Sequence, residues 1–286
     1  MARFNHVIII GIDGAGHGFK FADTPCMDKI FENGATTYDC LTAIPTISAE
    51  CWGSLLIGVT PEVHELTNDI VGTNGYYNSA ARNDHLDASK FVRRPKEDEL
   101  PTIFKLVRNV MPDAKLSAFS NWTPINDGII EQDIDVHFDC GGDQALTDKI
   151  CAEIKAVKPT LFFVQYDSVD GVGHTTGYNN DIYYAKLNEI DGYMGQIYDA
   201  VVEAGIADDT LFIVTADHGG IDHFHGGTSD EEKYVFFGAA GKGVNKTELK
   251  DMLIRNIPAV TCEALGVPGN PIWDSCVPAG MFAENK

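Results

Sequence analysis

The sequence predicts an α/β protein: an open, mostly parallel sheet flanked by helices, with a small lid or insertion at its rim. Three observations predict it. Short, nearly continuous apolar runs recur at residues 7–12 (VIIIGI), 116–119, 161–166 (LFFVQY) and 211–216 (LFIVTA), as expected of strands buried on both faces of a parallel sheet. Helix-period stretches separate them, which implies an open α/β sheet. Three of the runs also lead straight into carboxylates: Asp13, then Asp167 and Asp170, then Asp217-His218. Ligands of such sheets sit beyond the carboxyl ends of the strands, so these acids are expected to converge on one rim.

The elements follow in chain order. After the first strand, residues 44–66 (IPTISAECWGSLLIGVTPEVHEL) contain a helix-like run from Glu50 to Ile57 that Gly58 ends. Residues 64–96 are polar and rich in Asn, Asp and Gly, without a sustained period. A segment of that length reads as a lid or substrate-facing insertion, or simply as a long loop. Pro101-Thr102 opens a short helix carrying Phe104, Val107 and Val110, with Pro112 just past its end. Leu187, Ile190, Met194, Ile197 and Val201 step by three and four along one helix face, between a start at Asn180 and a stop at Gly205. From Pro258 on, the tail reads as a segment wrapping a single domain, 1–286.

Composition narrows the function. No apolar run near the start approaches the roughly 20 residues that span a bilayer, no leader pattern is recognisable, and a cytoplasmic protein is expected. Seven scattered cysteines without a CxxC suggest neither a disulfide framework nor a thiolate zinc site. A net charge of −21 opposes binding of a nucleic-acid polymer or an anionic membrane. An anionic small-molecule substrate would need a local positive charge, which bound metal supplies.

The stretch VTADHGGIDHFHGG, residues 214–227, concentrates such ligands: Asp217, His218, Asp222, His223 and His225. Mixed Asp and His donors suit zinc first and manganese second, whereas calcium favours oxygen alone. Asp13, Asp170, His174, Asp217, His218 and His225 exceed what one four-coordinate ion needs. Two ions would use them all, and such pairs typically clamp the oxygens of an in-line displacement at phosphorus. Pro45-Thr46-Ile47-Ser48 precedes the helix-like run, so Ser48 falls at or just before a helix N-terminus. The peptide N–H groups and dipole there favour an alkoxide and a phosphoryl oxygen. A plain N-cap is the other use of serine at that place.

The series G-I-D-G (11–14), P-T-x-S (45–48), S-L-L-x-G-x-x-P-E-x-H (54–64), D-x-x-G-H (170–174), A-D-H-G-G (216–220) and H-G-G (225–227) resembles the alkaline phosphatase superfamily. Within it, the series looks like the type I phosphodiesterase/nucleotide pyrophosphatase family. The resemblance implies an alkaline-phosphatase-like fold, with one ion on Asp170, His174 and His225 and a second on Asp13, Asp217 and His218. Ser48 would reach the metals as the nucleophile that forms a covalent phospho-serine. The implied activity is hydrolysis of phosphodiesters or nucleotide pyrophosphates. A phosphomonoesterase or phosphomutase of the same superfamily is the alternative, and a non-catalytic metal-binding relative a further one.

Three positions bear on specificity. Cys51, three residues past Ser48, stands where the resemblance calls for a phosphate-contacting asparagine, which leaves that task to another group such as the Ser48 or Ala49 N–H. Glu50 and Trp52 occupy places where the related sulfatases carry proline and arginine, so a sulfatase is not expected. His64 is expected to anchor its loop. Around Asn121-Trp122 the tryptophan either stacks on substrate or packs in the core.

Overall fold

The computed structural model describes residues 2–83, 91–132 and 134–284. In chain order the strands are β1 (His6–Ile12), β2 (Ala35–Leu41), β3 (Leu116–Ser120), β4 (Val136–Asp139), β5 (Leu161–Tyr166), β6 (Thr210–Thr215), β7 (Tyr234–Ala240) and β8 (Thr247–Glu248). The helices are α1 (Pro25–Phe31), α2 (Ser48–Ile57), α3 (Pro61–His64), α4 (Asn68–Asn83), α5 (Ile103–Val110), α6 (Asp143–Val157), α7 (Ser168–Thr176), α8 (Asp181–Glu203), α9 (Asp230–Lys233) and α10 (Ile257–Leu265).

Among the described residues, eight strands form one sheet in the order β4-β3-β5-β1-β6-β7-β2-β8. Pairing is parallel from β4 through β6, and β7 runs against both β6 and β2. The four apolar runs read from the sequence are β1, β3, β5 and β6, and every residue of β5 and β6 is buried. The sheet is mostly parallel because helices cover both faces, so its central strands need no polar face.

The α8 stripe of Leu187, Ile190, Met194, Ile197 and Val201 is buried, and the Asn180 side chain caps the helix by accepting from the Ile182 and Tyr183 N–H groups. On α2, Trp52 is fully buried and lies against Gly11, near the carboxyl end of β1. A Cβ on Gly11 would stand 2.3 Å from its ring, so only glycine fits there.

Two sequence expectations are corrected. Residues 68–83, within the aperiodic segment, are the helix α4. Its own pattern is weak, with two glycines and several asparagines, and tertiary contacts hold it instead. It packs on a short π-helical turn, Ile125–Ile129, where a Cβ on Gly128 would lie 2.3 Å from the Val71 carbonyl oxygen. Asn78 also donates to the carbonyls of Asp127 (2.6 Å) and Val92 (3.0 Å). The part of the expected lid at 84–90 lies outside the described residues. Second, the tail begins with a helix, α10, with Pro258 in its first turn, and wraps only beyond it, where Trp273 donates to the Ile57 carbonyl at 2.6 Å. Among the described residues no helix is long and apolar enough to cross a membrane.

Candidate active site

Strand β1 lies between β5 and β6, parallel to both, so the carboxyl ends of the three strands stand side by side. Asp13 follows β1, Asp217 and His218 follow β6, and β5 leads into α7, which carries Asp170 and His174 one turn apart. Ser48 is the first residue of α2. His225 comes from the loop after β6.

These seven residues meet. His218 Nε2 lies 3.3 Å from Ser48 Oγ, 3.3 Å from Asp217 Oδ2 and 3.5 Å from Asp13 Oδ1. Asp170 has Oδ2 3.3 Å from His174 Nε2 and Oδ1 3.8 Å from His225 Nε2. Donor atoms of Asp13, Asp217 and His218 all fall within 4.8 Å of one another, and so do those of Asp170, His218 and His225. The first group matches the set the resemblance implies. In the second, His218 joins Asp170 and His225, while His174 stands at the outer edge, 42% exposed, with its ring 5.0 Å from that of His225.

The groups behind these side chains define what the site can bind. All three imidazoles direct Nδ1 at a backbone carbonyl: His174 at His223 (2.8 Å), His218 at Gly219 (2.9 Å) and His225 at Thr46 (2.8 Å). The carbonyls assign the proton to Nδ1, and each Nε2 lone pair is left for a cation. Asp13 Oδ2 accepts from Trp52 Nε1 and Gln165 Nε2, both at 3.0 Å, while Oδ1 is buried without a hydrogen-bond partner among the described residues. Asp217 Oδ1 accepts from the Gly14 and His218 N–H groups at 3.1 and 2.8 Å, and Oδ2 is likewise orphaned. A buried, unpartnered carboxylate oxygen is costly unless a cation meets it. Two of them beside imidazole lone pairs make a donor set that fits divalent ions.

Electrostatics agree. Burial first, then the Asp217, Asp170 and Asp167 charges, push the Asp13 carboxyl well above its usual range, and burial does the same to Asp217. Burial pushes His218 and His225 down, the latter also through His218, so both imidazoles favour the neutral form that binds metal.

Several residues have roles that sequence reasoning missed or misplaced. The Cys51 thiol is buried toward the carbonyls of Ala43 (3.7 Å) and Pro45 (3.8 Å). The asparagine at this end of α2 is Asn68, whose Oδ1 takes the Ala49 N–H at 3.0 Å. That N–H is therefore engaged by Asn68. Trp52 and Gln165 hold Asp13. Their signals were present, one helical turn after Ser48 and directly opposite Gly11 in the β1–β5 register, whereas Asn68 had none. Gln165 also accepts from the Asn121 and Trp122 N–H groups at 3.1 and 2.8 Å, placing that half-buried tryptophan at the rim.

Asp167 hydrogen-bonds Gln165 and belongs to neither donor group; its carboxyl is raised by burial and by Asp170. His64 is wholly buried between Ser54 Oγ and the Glu50 carbonyl, both at 3.2 Å, and the Leu66 N–H at 3.0 Å. Burial pushes it down to about 4, and it ties α2 to the following segment as expected.

Murine ectonucleotide pyrophosphatase/phosphodiesterase 5, solved as an inactive variant in complex with AMP, superposes with a TM-score of 0.73 at 15% identity, covering 93% of this chain and 96% of its own. The human protein gives 0.74 at 13% identity, covering 94% and 97%. A lipoteichoic acid synthase from Listeria monocytogenes gives 0.67 at 14% identity, covering 99% and 75%. At these identities the likeness shows a shared fold, that of the alkaline phosphatase superfamily. No curated protein matches in sequence. The family model for type I phosphodiesterase / nucleotide pyrophosphatase matches residues 7–231, a span that contains every residue of the site. The chain therefore belongs to the type I phosphodiesterase/nucleotide pyrophosphatase family and is a hydrolase of phosphoric esters.

Proposed function

We propose that the protein hydrolyses small-molecule phosphate esters, phosphodiesters or nucleotide pyrophosphates, by double displacement through a phospho-serine at Ser48. One observation carries the reading: His218 Nε2 and the orphaned oxygens of Asp13 and Asp217 surround a point beside Ser48 Oγ. Asp13, Asp217 and His218 would hold one divalent ion, and Asp170, His174 and His225 the second, with zinc favoured over manganese by the donor set. Such a pair supplies Lewis acidity to phosphoryl oxygens and lowers the pKa of a bound hydroxyl or water.

The chain does the positioning. Ser48 sits at the positive end of α2 and is 9% exposed, open to substrate yet largely shielded from bulk water. Its oxygen forms the bond to phosphorus as the ester bond to the leaving oxygen breaks. Water then breaks the Oγ–P bond and restores the hydroxyl. Asn68 braces the helix end through Ala49. The AMP held by the murine neighbour supports a nucleotide-bearing ester as one substrate class. The net charge of −21 argues against nucleic-acid polymers and anionic membranes as partners, and the unpaired cysteines favour a reducing, cytoplasmic setting.

The test is hydrolysis of bis(4-nitrophenyl) phosphate against 4-nitrophenyl phosphate, with elemental analysis of the same samples. Ser48→Ala is expected to lose turnover by at least about a thousandfold, on the scale of losing a covalent nucleophile, while its metal content stays normal. Substantial residual hydrolysis by that variant removes the covalent step. A preference for the monoester moves the assignment to a phosphomonoesterase.

A further inference from the structure

The Asp170 carboxylate has a support outside the ligand set. Tyr178, just past the end of α7, donates its hydroxyl to Asp170 Oδ1. Its ring is 6% exposed and rests on two glycines. A Cβ on Gly173 would stand 2.4 Å from ring atoms, and one on Gly220 2.6 Å. Both glycines belong to the ligand motifs D-x-x-G-H and A-D-H-G-G, and neither has a positive φ. They are therefore not required by backbone conformation; their lack of a side chain makes room for the tyrosine ring. The turn after β1 also packs on Asp170: a Cβ on Gly14 would lie 2.7 Å from the same Oδ1.

Asp170 is thus clasped by the turn after β1 and a phenol. The clasp continues through Tyr183, 5.6 Å away between ring centroids, whose hydroxyl donates to the Gly14 and Ala15 carbonyls at 2.8 and 2.9 Å. A carboxylate that must present fixed oxygens to a cation gains from such an orienting donor, and losing one typically costs a metal site 10–100-fold in affinity.

We infer that Tyr178 is a positioning residue: its hydroxyl orients Asp170 and sets the affinity of the ion position shared by Asp170, His174 and His225, but not that of Asp13, Asp217 and His218. The inference rests on the two-ion reading above.

Calorimetric titration of the chelator-stripped, full-length protein with Zn²⁺ tests it. Tyr178→Phe keeps the ring in its seat and removes only the hydroxyl. One of two Zn²⁺ affinities is expected to fall about 10–100-fold, with the other unchanged and the metal-free melting temperature near wild type. Gly173→Ala, which displaces the ring, is expected to weaken the same ion. Two unchanged affinities in Tyr178→Phe overturn the inference while leaving the two-ion reading standing. A parallel loss of both affinities together with metal-free stability overturns it in favour of a structural role. Fewer than two Zn²⁺ bound by the wild type overturns the two-ion reading itself, and the inference with it.

Discussion

At the scale of single residues, the site keeps pairs of like charge in one buried place, and their titration reports it. The Asp13 and Asp217 carboxyls are raised in the folded, metal-free protein, so their contribution to stability is present at low pH and lost as pH rises through the folded values. A divalent ion that holds these carboxylates ionised offsets that loss as pH rises. Chelation is therefore expected to lower the melting temperature more at about pH 8 than at about pH 5, measured by calorimetry with and without chelator. Protons competing for the same carboxylates act in the same direction. An equal drop at both values would mean that these acids do not hold the ion.

At the scale of elements, α2 and α4 form one working unit. Helix α2 presents Ser48 and plants Trp52 behind Asp13; α4 begins with Asn68 on the Ala49 N–H. The seat of α4 on the π-helical turn depends on Gly128, because its missing Cβ leaves space for the Val71 carbonyl. Gly128→Ala is expected to cost about 1–3 kcal/mol, the usual range for overpacking, and to raise amide exchange along α4. Turnover should fall with it, since Asn68 moves too. Unchanged exchange in 68–83 would show that α4 is held elsewhere. This helix was not legible from its residues: glycines and asparagines weaken its local pattern, and contacts far along the chain offset them.

At the scale of the whole molecule, the strand order does what no single motif can. Placing β1 between β5 and β6 brings residues 13, 170 and 217 to one rim although some two hundred positions separate the first from the last. Around that rim lies a chain of net charge −21. Long-range repulsion of an anionic ester is screened as the Debye length shrinks from about 30 Å at 0.01 M salt to about 8 Å at 0.15 M. We expect kcat/KM for bis(4-nitrophenyl) phosphate to rise severalfold over that range, and a flat or falling profile would show that the local field of the site dominates.

The side chains that gather at the rim, the four core strands and the capped helix α8 were all legible in the sequence. Each is written in a short window: an apolar run, a three-four step after Asn180, an Asp-His pair before glycines. Only tertiary structure showed that Asn68 engages the Ala49 N–H at the start of α2, that Trp52 and Gln165 hold Asp13, that His218 stands between the two donor groups, and that Gly173 and Gly220 make room for Tyr178. Those facts depend on contacts between segments that no local period connects, and chain folding alone brings their atoms within reach.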